Sequence, residues 1–323
     1  MSASGGTRAV VAALLANLGI AATKFVAFLL TSASSMLAEA IHSVADSGNQ
    51  ALLLLGGRRA QRQATPQHPF GYGRERYIYA FIVSIVLFSV GGLFALYEAY
   101  HKYEEVHAGH EDKLLTGNLG WVPVLVLSVA IVMESFSFRT AIVESNHTRG
   151  GQSWVQFVRT AKAPELPVVL LEDLAALLGL VFALVGVGLT LLTGNAYWDV
   201  AGTVAIGLLL VTVAIVLAVE TKSLLLGEGA SRTSVDRIRA ALEAQPEIER
   251  IIHMKTLHLG PDELLVAAKV GVRRGDSAAE VASAIDAAED RIRQAEPLAR
   301  VIYLEPDIYR AEQPTPAGDA PAH

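Results

Sequence analysis

Four polar side chains recur at helical spacing in an apolar stretch: Glu39, His42, Asp46 and Asn49, within residues 36–56. Their spacing of three, four and three residues places them on one face of a helix. An imidazole and a carboxylate at positions i and i+4 are ligands that a borderline divalent metal ion prefers. Ionisable groups at membrane depth are unfavourable, so this face predicts a functional metal site. The alternative is a polar seam that only holds helices together.

A second pair of carboxylates, Glu172 and Asp173, lies in the apolar run 167–192. Adjacent residues on a helix point about 100° apart, so one can face the bundle centre while the other faces a neighbouring helix. Asp173 together with His42 and Asp46 would provide three metal ligands from two helices. We therefore expect the two apolar segments to pack against each other.

The composition is that of a membrane protein. Of the 323 residues, 52% are hydrophobic and 18% charged, with a mean hydropathy of +0.40. These values exceed those of ordinary soluble domains and indicate several membrane spans. The chain has no cysteine, which excludes disulfides, a thiolate zinc site and a cysteine-ligated iron–sulfur cluster. A metal ion would have to be bound by His, Asp, Glu or carbonyl groups.

Six apolar segments each approach the ~20 residues that span a bilayer. The loops after the second and fourth segments are rich in Arg and Lys, whereas the turns after the first and fifth contain neither. The positive-inside rule then predicts a multi-pass integral membrane protein with both termini in the cytoplasm, and we expect a bacterial inner membrane. The predicted spans cover residues 9–31, 36–56, 77–100, 119–143, 167–192 and 198–221.

The character of the chain changes after residue 226. Residues 1–226 are predicted to form the transport domain, residues 227–312 a soluble cytoplasmic domain, and the Pro- and Ala-rich residues 313–323 a disordered tail. The soluble part predicts the order α-β-β-α-β, which suggests a ferredoxin-like layer of helices on a sheet. Its elements are expected near residues 234–242, 248–259, 264–272, 278–295 and 298–304.

Two further segments carry charge near the membrane. Lys24 in the first span needs an acidic partner, for which Glu39 is a candidate, or it extends towards the interface. The segment 68–77, His-Pro-Phe-Gly-Tyr-Gly-Arg-Glu-Arg-Tyr, combines turn residues with charge where a helix re-enters the bilayer. The His- and acid-rich loop 101–120 is predicted to be solvated and mobile.

With these features together, the chain resembles the cation diffusion facilitator family of the zinc-transporter type. The resemblance is carried by the six spans, the His42-x-x-x-Asp46 pair, the His68-Pro-Phe-Gly-Tyr-Gly-Arg74 loop and the C-terminal domain. It implies a divalent-metal/proton exporter that forms homodimers through its cytoplasmic domain. It also implies a transport site with two ligands from span two and two from span five.

The sequence departs from the family pattern in span five. Val169 stands where the family usually has a His or Asp, and Glu172 is an additional acid beside Asp173. This pattern resembles a divergent branch that includes mitochondrial zinc transporters. The fourth ligand is left open among Glu172, Asn49, Glu39 and water.

Accessory metal sites of the family are also altered. The loop keeps His68, while Tyr72 stands where a second His is common. In the C-terminal domain the candidate ligands are two histidines five residues apart on one predicted strand, and so on opposite faces, with two acids further along. We predict that a metal site there is weak or lost; the residues are His253, His258, Glu305 and Asp307.

The predicted function is export of a divalent cation, with Zn²⁺ favoured by the His and carboxylate ligands, by proton antiport with alternating access. The cation is substrate, and no organic cofactor is expected. Transport of Mn²⁺, Fe²⁺ or Co²⁺ is one alternative, and a non-transporting metal sensor or scaffold is another. Enzyme motifs and a nucleic-acid footprint are absent from the sequence. An Arg74–Glu228 contact is expected to couple the two domains.

Overall fold

The computed structural model describes residues 18–110, 113–116 and 119–310. Residues 9–17 of the first predicted span and the predicted tail 313–323 lie outside this part of the chain. The chain divides into two compact units. The first contains the residues up to Arg58 together with Arg76–Lys222, and the second contains Arg59–Glu75 together with the residues from Ser223 onward.

The first unit is helical. A π-helical segment, Leu87–Leu93, joins α3 to α4, so that Glu75–His107 is one continuous helical rod. The helices are α1 (Leu18–Thr31), α2 (Ser34–Ala60), α3 (Glu75–Val86), α4 (Phe94–His107), α5 (Lys113–Thr116), α6 (Trp121–Arg149), α7 (Trp154–Thr160), α8 (Glu165–Thr193) and α9 (Tyr197–Leu226).

Four of the described helices are long and apolar enough to cross a membrane: Glu75–His107, Trp121–Arg149, Glu165–Thr193 and Tyr197–Leu226. They correspond to the last four of the six predicted spans. The described part of α1 is apolar but shorter. Helix α2 has 27 residues, and its polar face lowers its hydropathy.

Two short segments differ from the sequence prediction. The loop expected from residue 101 is helical as far as His107, and Lys102 within it is buried. After residue 110, described residues 113–116 form α5, in which Leu114 is buried in the core of the unit. The helix α7 was not predicted, because its seven residues are too few to show a clear periodicity. At its start, the Ser153 side chain accepts a hydrogen bond from Gln156 N as an N-terminal cap.

Close helix contacts in the first unit depend on glycine. A Cβ on Gly186 of α8 would lie 2.9 Å from the carbonyl oxygen of Trp198, and one on Gly202 of α9 would lie 2.9 Å from that of Phe182. The two helices therefore touch backbone to backbone. The largest buried apolar side chains around this contact and along α2, the π-helical segment and α6 are Met36, Leu87, Leu127, Leu180, Ile206 and Leu210.

The second unit contains a three-stranded sheet and two helices. The strands β1 (Ile248–Gly260), β2 (Glu263–Val272) and β3 (Ala299–Asp307) lie in the order β1-β2-β3. The first pair is antiparallel and the second is parallel, with α11 (Ala278–Ala295) connecting β2 to β3. Helix α10 (Arg232–Glu243) precedes the sheet.

One face of this sheet forms the core of the second unit. Alternate residues of β2 are buried, as a strand with one covered face requires. They pack with apolar residues of α10 and α11, which confirms the helical periodicity predicted for both segments. The core contains Ile238, Leu242, Leu264, Val266, Val270, Ala288 and Ile292.

The cap of α11 provides a test of this unit. Ser277 accepts from Glu280 N at 3.4 Å, and the Glu280 carboxylate accepts from Ser277 N at 2.7 Å, forming a capping box. We expect Ser277→Ala to destabilise the helix by about 1 kcal/mol. Hydrogen exchange of the full-length chain should show faster exchange in α11. Ser283→Ala, an exposed change inside the same helix, is the control and should not increase exchange.

Candidate functional site

The polar face of α2 is buried, as its spacing predicted. Glu39, His42 and Asn49 are at most 1% exposed, and the side chain of Asp46 is 18% exposed. Helix α2 therefore carries its hydrophilic residues inwards within the first unit. Buried groups of this kind require partners from neighbouring helices or from a ligand.

His42 and Asp46 face each other one helical turn apart. The distance between His42 Nε2 and Asp46 Oδ2 is 3.5 Å, longer than a good hydrogen bond. Both ring nitrogens of His42 and the Oδ1 atom of Asp46 are buried and find no hydrogen-bond partner among the described residues. An imidazole and a carboxylate with free lone pairs in a buried place form a donor set that fits a divalent cation.

Glu172 links α8 to the polar face of α2. Its Oε1 atom accepts a hydrogen bond from Asn49 Nδ2 at 2.7 Å, between two buried side chains. The amide oxygen of Asn49 is buried, and no residue that the structure describes offers it a hydrogen bond. The extra acid of span five and one of the candidate fourth ligands are thus neighbours in space.

Asp173 points to another helix. Its Oδ2 atom accepts from Ser137 Oγ of α6 at 2.9 Å. The two adjacent carboxylates therefore diverge, as expected for neighbouring helical residues. Within residues 18–110, 113–116 and 119–310, no three His, Asp or Glu side chains are grouped closely enough to hold a metal ion. The proposed set of His42, Asp46 and Asp173 is not assembled in this conformation and stays a prediction.

Lys24 forms a buried ion pair with Glu39. Its Nζ atom lies 3.0 Å from Glu39 Oε2 and donates to Ser43 Oγ at 2.8 Å, and the two charged side chains are 4% and 0% exposed. This contact decides between the two alternatives for Lys24 in favour of the acidic partner. An internal cation therefore neutralises one acid of the α2 face.

Two glycines allow neighbouring helices to approach this face. A Cβ on Gly179 of α8 would lie 2.6 Å from Glu39 Oε1, and one on Gly91 of the π-helical segment would lie 3.9 Å from His42 Nδ1. Single-turn π-helical insertions occur often at functional sites. The π-helical segment and Ser137 were missed by sequence analysis. The Gly91-Gly92 pair inside an apolar span was the available signal for the former.

The loop containing His68 belongs to the second unit. The rings of His68 and Tyr72 have centroids 4.7 Å apart, and His68 is exposed. The side chain beside His68 is therefore the aromatic ring of Tyr72 and not a second histidine. Arg74 lies close to the residue before Glu228: its Nη2 atom is 3.5 Å from the position of a Cβ on Gly227.

The exposed face of the sheet carries a lysine among the candidate ligands. Lys269 pairs in register with His253 on β1 and Glu305 on β3. Its Nζ atom lies 3.1 Å from Glu305 Oε1 and 3.0 Å from Asp307 Oδ2. These hydrogen bonds raise the pKa of Lys269 and lower the pKa of Asp307. His258 is instead buried, 3.3 Å from the Gly260 carbonyl oxygen through Nδ1.

Comparison with known proteins identifies the family of this chain. Residues 10–226 match the family model described as the cation efflux transmembrane domain. The chain belongs to the cation diffusion facilitator family. The match covers α2, α8 and every residue of the first unit discussed above.

Relatives within the family include transporters named for zinc. The chain is 33% identical to the mitochondrial proton-coupled zinc antiporter SLC30A9 of Xenopus laevis over 249 residues, covering 76% of this chain and 43% of that protein. It is 32% identical to the human protein of the same name over 249 residues, 76% and 42% of the two chains. It is 26% identical to metal tolerance protein C4 of Arabidopsis thaliana over 265 residues, 81% and 56%. The chain thus spans less than half the length of the zinc antiporters that it matches.

The close approach at Gly179 gives a prediction for the site. We expect Gly179→Ala to displace the Glu39 side chain, because a contact of 2.6 Å is too short for any Cβ. Overpacking of this kind destabilises a protein by about 1–3 kcal/mol. The measurement is thermal unfolding of the full chain in detergent.

The control is Gly188→Ala in the same helix, where a new Cβ would meet nothing within 4 Å. This variant should be neutral or slightly stabilised, because Ala has the higher helix propensity. Equal unfolding temperatures for the two variants would contradict the packing described for Gly179.

Proposed function

We propose that this protein exports a divalent metal cation, preferentially Zn²⁺, in exchange for protons. The observation that carries the proposal is the buried His42–Asp46 pair: both ring nitrogens and the Oδ1 atom of the carboxylate have no hydrogen-bond partner within the described part of the chain. Desolvated groups of this kind are retained where a ligand completes them. The names of the zinc antiporters in the same family support the same metal and the same counter-ion.

The two diverging acids of α8 suggest how the site is completed. Glu172 already contacts Asn49 on α2, whereas Asp173 is held by Ser137 on α6. Binding of a dication would attract both carboxylates, so we propose that Asp173 exchanges its serine partner for the metal ion. Glu172 or Asn49 then provides the fourth ligand.

Proton coupling follows from the ligand chemistry. An imidazole binds a metal ion only through a free lone pair, and a carboxylate binds it best when ionised, so protons and metal compete for the same atoms. Loading at low proton activity and release at high proton activity on opposite sides of a membrane constitute antiport. Glu39 is excluded from this exchange in the proposal, since Lys24 already neutralises it.

The larger architecture is part of the proposal. Helices α1 and α2 would complete six spans, with both termini in the cytoplasm of a bacterial cell. The α-β-β-α-β order of the second unit supports a ferredoxin-like domain, which we propose as the homodimer contact.

Lys269 places a positive charge beside Glu305 and Asp307, and this disfavours metal binding at that face. Domain coupling through Arg74 and Glu228, with His68 nearby in sequence, stays a prediction.

Zinc flux into liposomes tests the function. Purified protein is reconstituted with an internal zinc dye, and a pH gradient is imposed. We expect wild-type flux to follow the gradient and Asp46→Ala and Asp173→Ala to reduce it to the level of empty liposomes, because each removes a proposed ligand.

Ser47→Ala is the matched control, since the Ser47 hydroxyl donates only to the Ser43 carbonyl of its own helix, at 3.0 Å. It should retain flux. A wild-type protein that binds zinc but shows no flux in either gradient direction would instead be a metal sensor.

Metal selectivity tests the role of His42. Replacing an imidazole by a carboxylate favours harder ions, so His42→Asp should shift the preference from Zn²⁺ towards Mn²⁺. The measurement is competition between the two ions in the flux assay. We expect a change of at least about tenfold in the ratio, because losing a group that only orients a metal ligand already costs about 10–100-fold in metal affinity. His147→Asp makes the same change at an exposed position of α6 and should leave the ratio unaltered.

A further inference from the structure

A second polar cluster lies in the first unit, at the end of the helix bundle where α2 and α9 begin. Its central residue is Asp199, which is 0% exposed and was not predicted as functional. The cluster lies where α2 begins, about a whole helix length from the end of α2. We refer to Ser32, Ser34, Ser35, Lys102 and Asp199 as the outer cluster.

Asp199 binds the first turn of α2 through both carboxylate oxygens. Its Oδ2 atom accepts from Ser34 N at 2.8 Å and Ser34 Oγ at 3.1 Å. Its Oδ1 atom accepts from Ser35 Oγ at 2.5 Å and Ser35 N at 3.4 Å. A side chain of α9 therefore serves as the N-terminal cap of α2, although 164 residues separate them in the sequence.

Lys102 holds the other side of the same turn. Its Nζ atom donates to the Ser32 carbonyl at 3.1 Å, and Lys102 is 5% exposed. Ser32 has a φ of 55°, which is uncommon for a residue other than glycine. The turn between α1 and α2 is thus fixed in a left-handed conformation between a buried cation of α4 and a buried acid of α9.

The outer cluster lies directly above the metal-binding face. Ser35 is four residues before Glu39, and Ser34 is four residues before Ala38, so each pair lies on the same side of α2. Ala38 is itself 3% exposed. The contacts between the first turn of α2 and Asp199 of α9 therefore lie between the His42 level of α2 and this end of the helix.

We infer that the outer cluster closes the outer end of the bundle and must separate when the cation is released there. This inference rests on the proposed alternating-access transport. Asp199 acts as a positioning residue: its hydrogen-bond partners in the described part of the chain are Ser34, Ser35 and Thr190 and none of the proposed metal ligands, and it determines whether the start of α2 is bound to α9. The hydrogen bonds hold the closed state, and their loss shifts the equilibrium towards the open one.

The absence of cysteine from the sequence makes a labelling experiment direct. A single cysteine is introduced as Ala38→Cys, and a membrane-impermeant maleimide is added to one side of reconstituted liposomes at a time. In the otherwise unchanged protein, labelling should be slow. With Asp199→Asn added, labelling from the outer side should accelerate at least about tenfold, because hydrogen bonds to a charged acceptor are strong enough for such a shift.

A second cysteine position provides the control. Ala80 of α3 is also buried, at 0% exposed, and lies near the other end of the bundle. Labelling of Ala80→Cys should not change when Asp199→Asn is present. Equal acceleration at both positions would indicate general loosening and would overturn the inference, as would an unchanged rate at position 38.

Lys102→Met is a second, independent variant, in case Asp199→Asn fails to fold. It removes the donor to Ser32 while retaining side-chain length, and it should also accelerate labelling at position 38. The labelling needs no metal and no flux. Absence of zinc flux in the wild type would therefore contradict the proposed function, whereas unchanged labelling with intact flux would contradict the outer cluster alone.

Discussion

The polar face of α2 must be enclosed by helices that are themselves apolar, and this requirement organises the first unit. A buried polar atom without a partner is unfavourable, so each neighbouring helix contributes a group that α2 needs. Lys24 comes from α1, Glu172 from α8 and Asp199 from α9. Among the described residues, the buried atoms of this face that stay without a hydrogen-bond partner include both ring nitrogens of His42 and the Oδ1 atoms of Asp46 and Asn49, which are atoms that can bind a metal ion.

This distribution separates two kinds of buried charge. The Lys24–Glu39 pair is internally neutral and keeps its components close together. The attraction between the two charges offsets part of the free energy that their burial costs, whereas removing either member leaves an uncompensated buried charge. Asp46, Glu172 and Asp173 form no ion pair with a lysine or arginine among the described residues, and in the proposed mechanism they provide the charge compensation that a desolvated dication needs. The proposed function therefore uses different acids from the one that Lys24 holds.

Sequence periodicity was sufficient to locate most elements. The predicted spans agree with α2, α6, α8 and α9 to within a few residues, and the strands and helices of the second unit follow the predicted order. The segment 101–107 was misjudged because its residues are polar, and polarity alone does not distinguish a loop from a helix end. The short α7 and the π-helical segment were missed because local propensity does not specify them.

The site was predicted less completely than the fold. Spacing alone placed Glu39, His42, Asp46 and Asn49 on one face, because that follows from helical geometry. It did not show which of Glu172 and Asp173 faces α2, since the rotation of α8 depends on packing around Gly179. It also missed Asp199, which lies beside the membrane boundary in the sequence. Its role depends on a contact with α2 that no local pattern encodes.

The glycine contact between α8 and α9 has a mechanical consequence. Backbone atoms meet at Gly186 and Gly202, and the Thr190 hydroxyl approaches Asp199 N to 3.0 Å. Because backbone meets backbone at this contact, we expect the two helices to move together. A tilt of α8 that moves Asp173 would therefore also move Asp199. A movement of the proposed metal ligand Asp173 and the separation of Asp199 from α2 would then be linked by the joint movement of α8 and α9, without a relay of side chains.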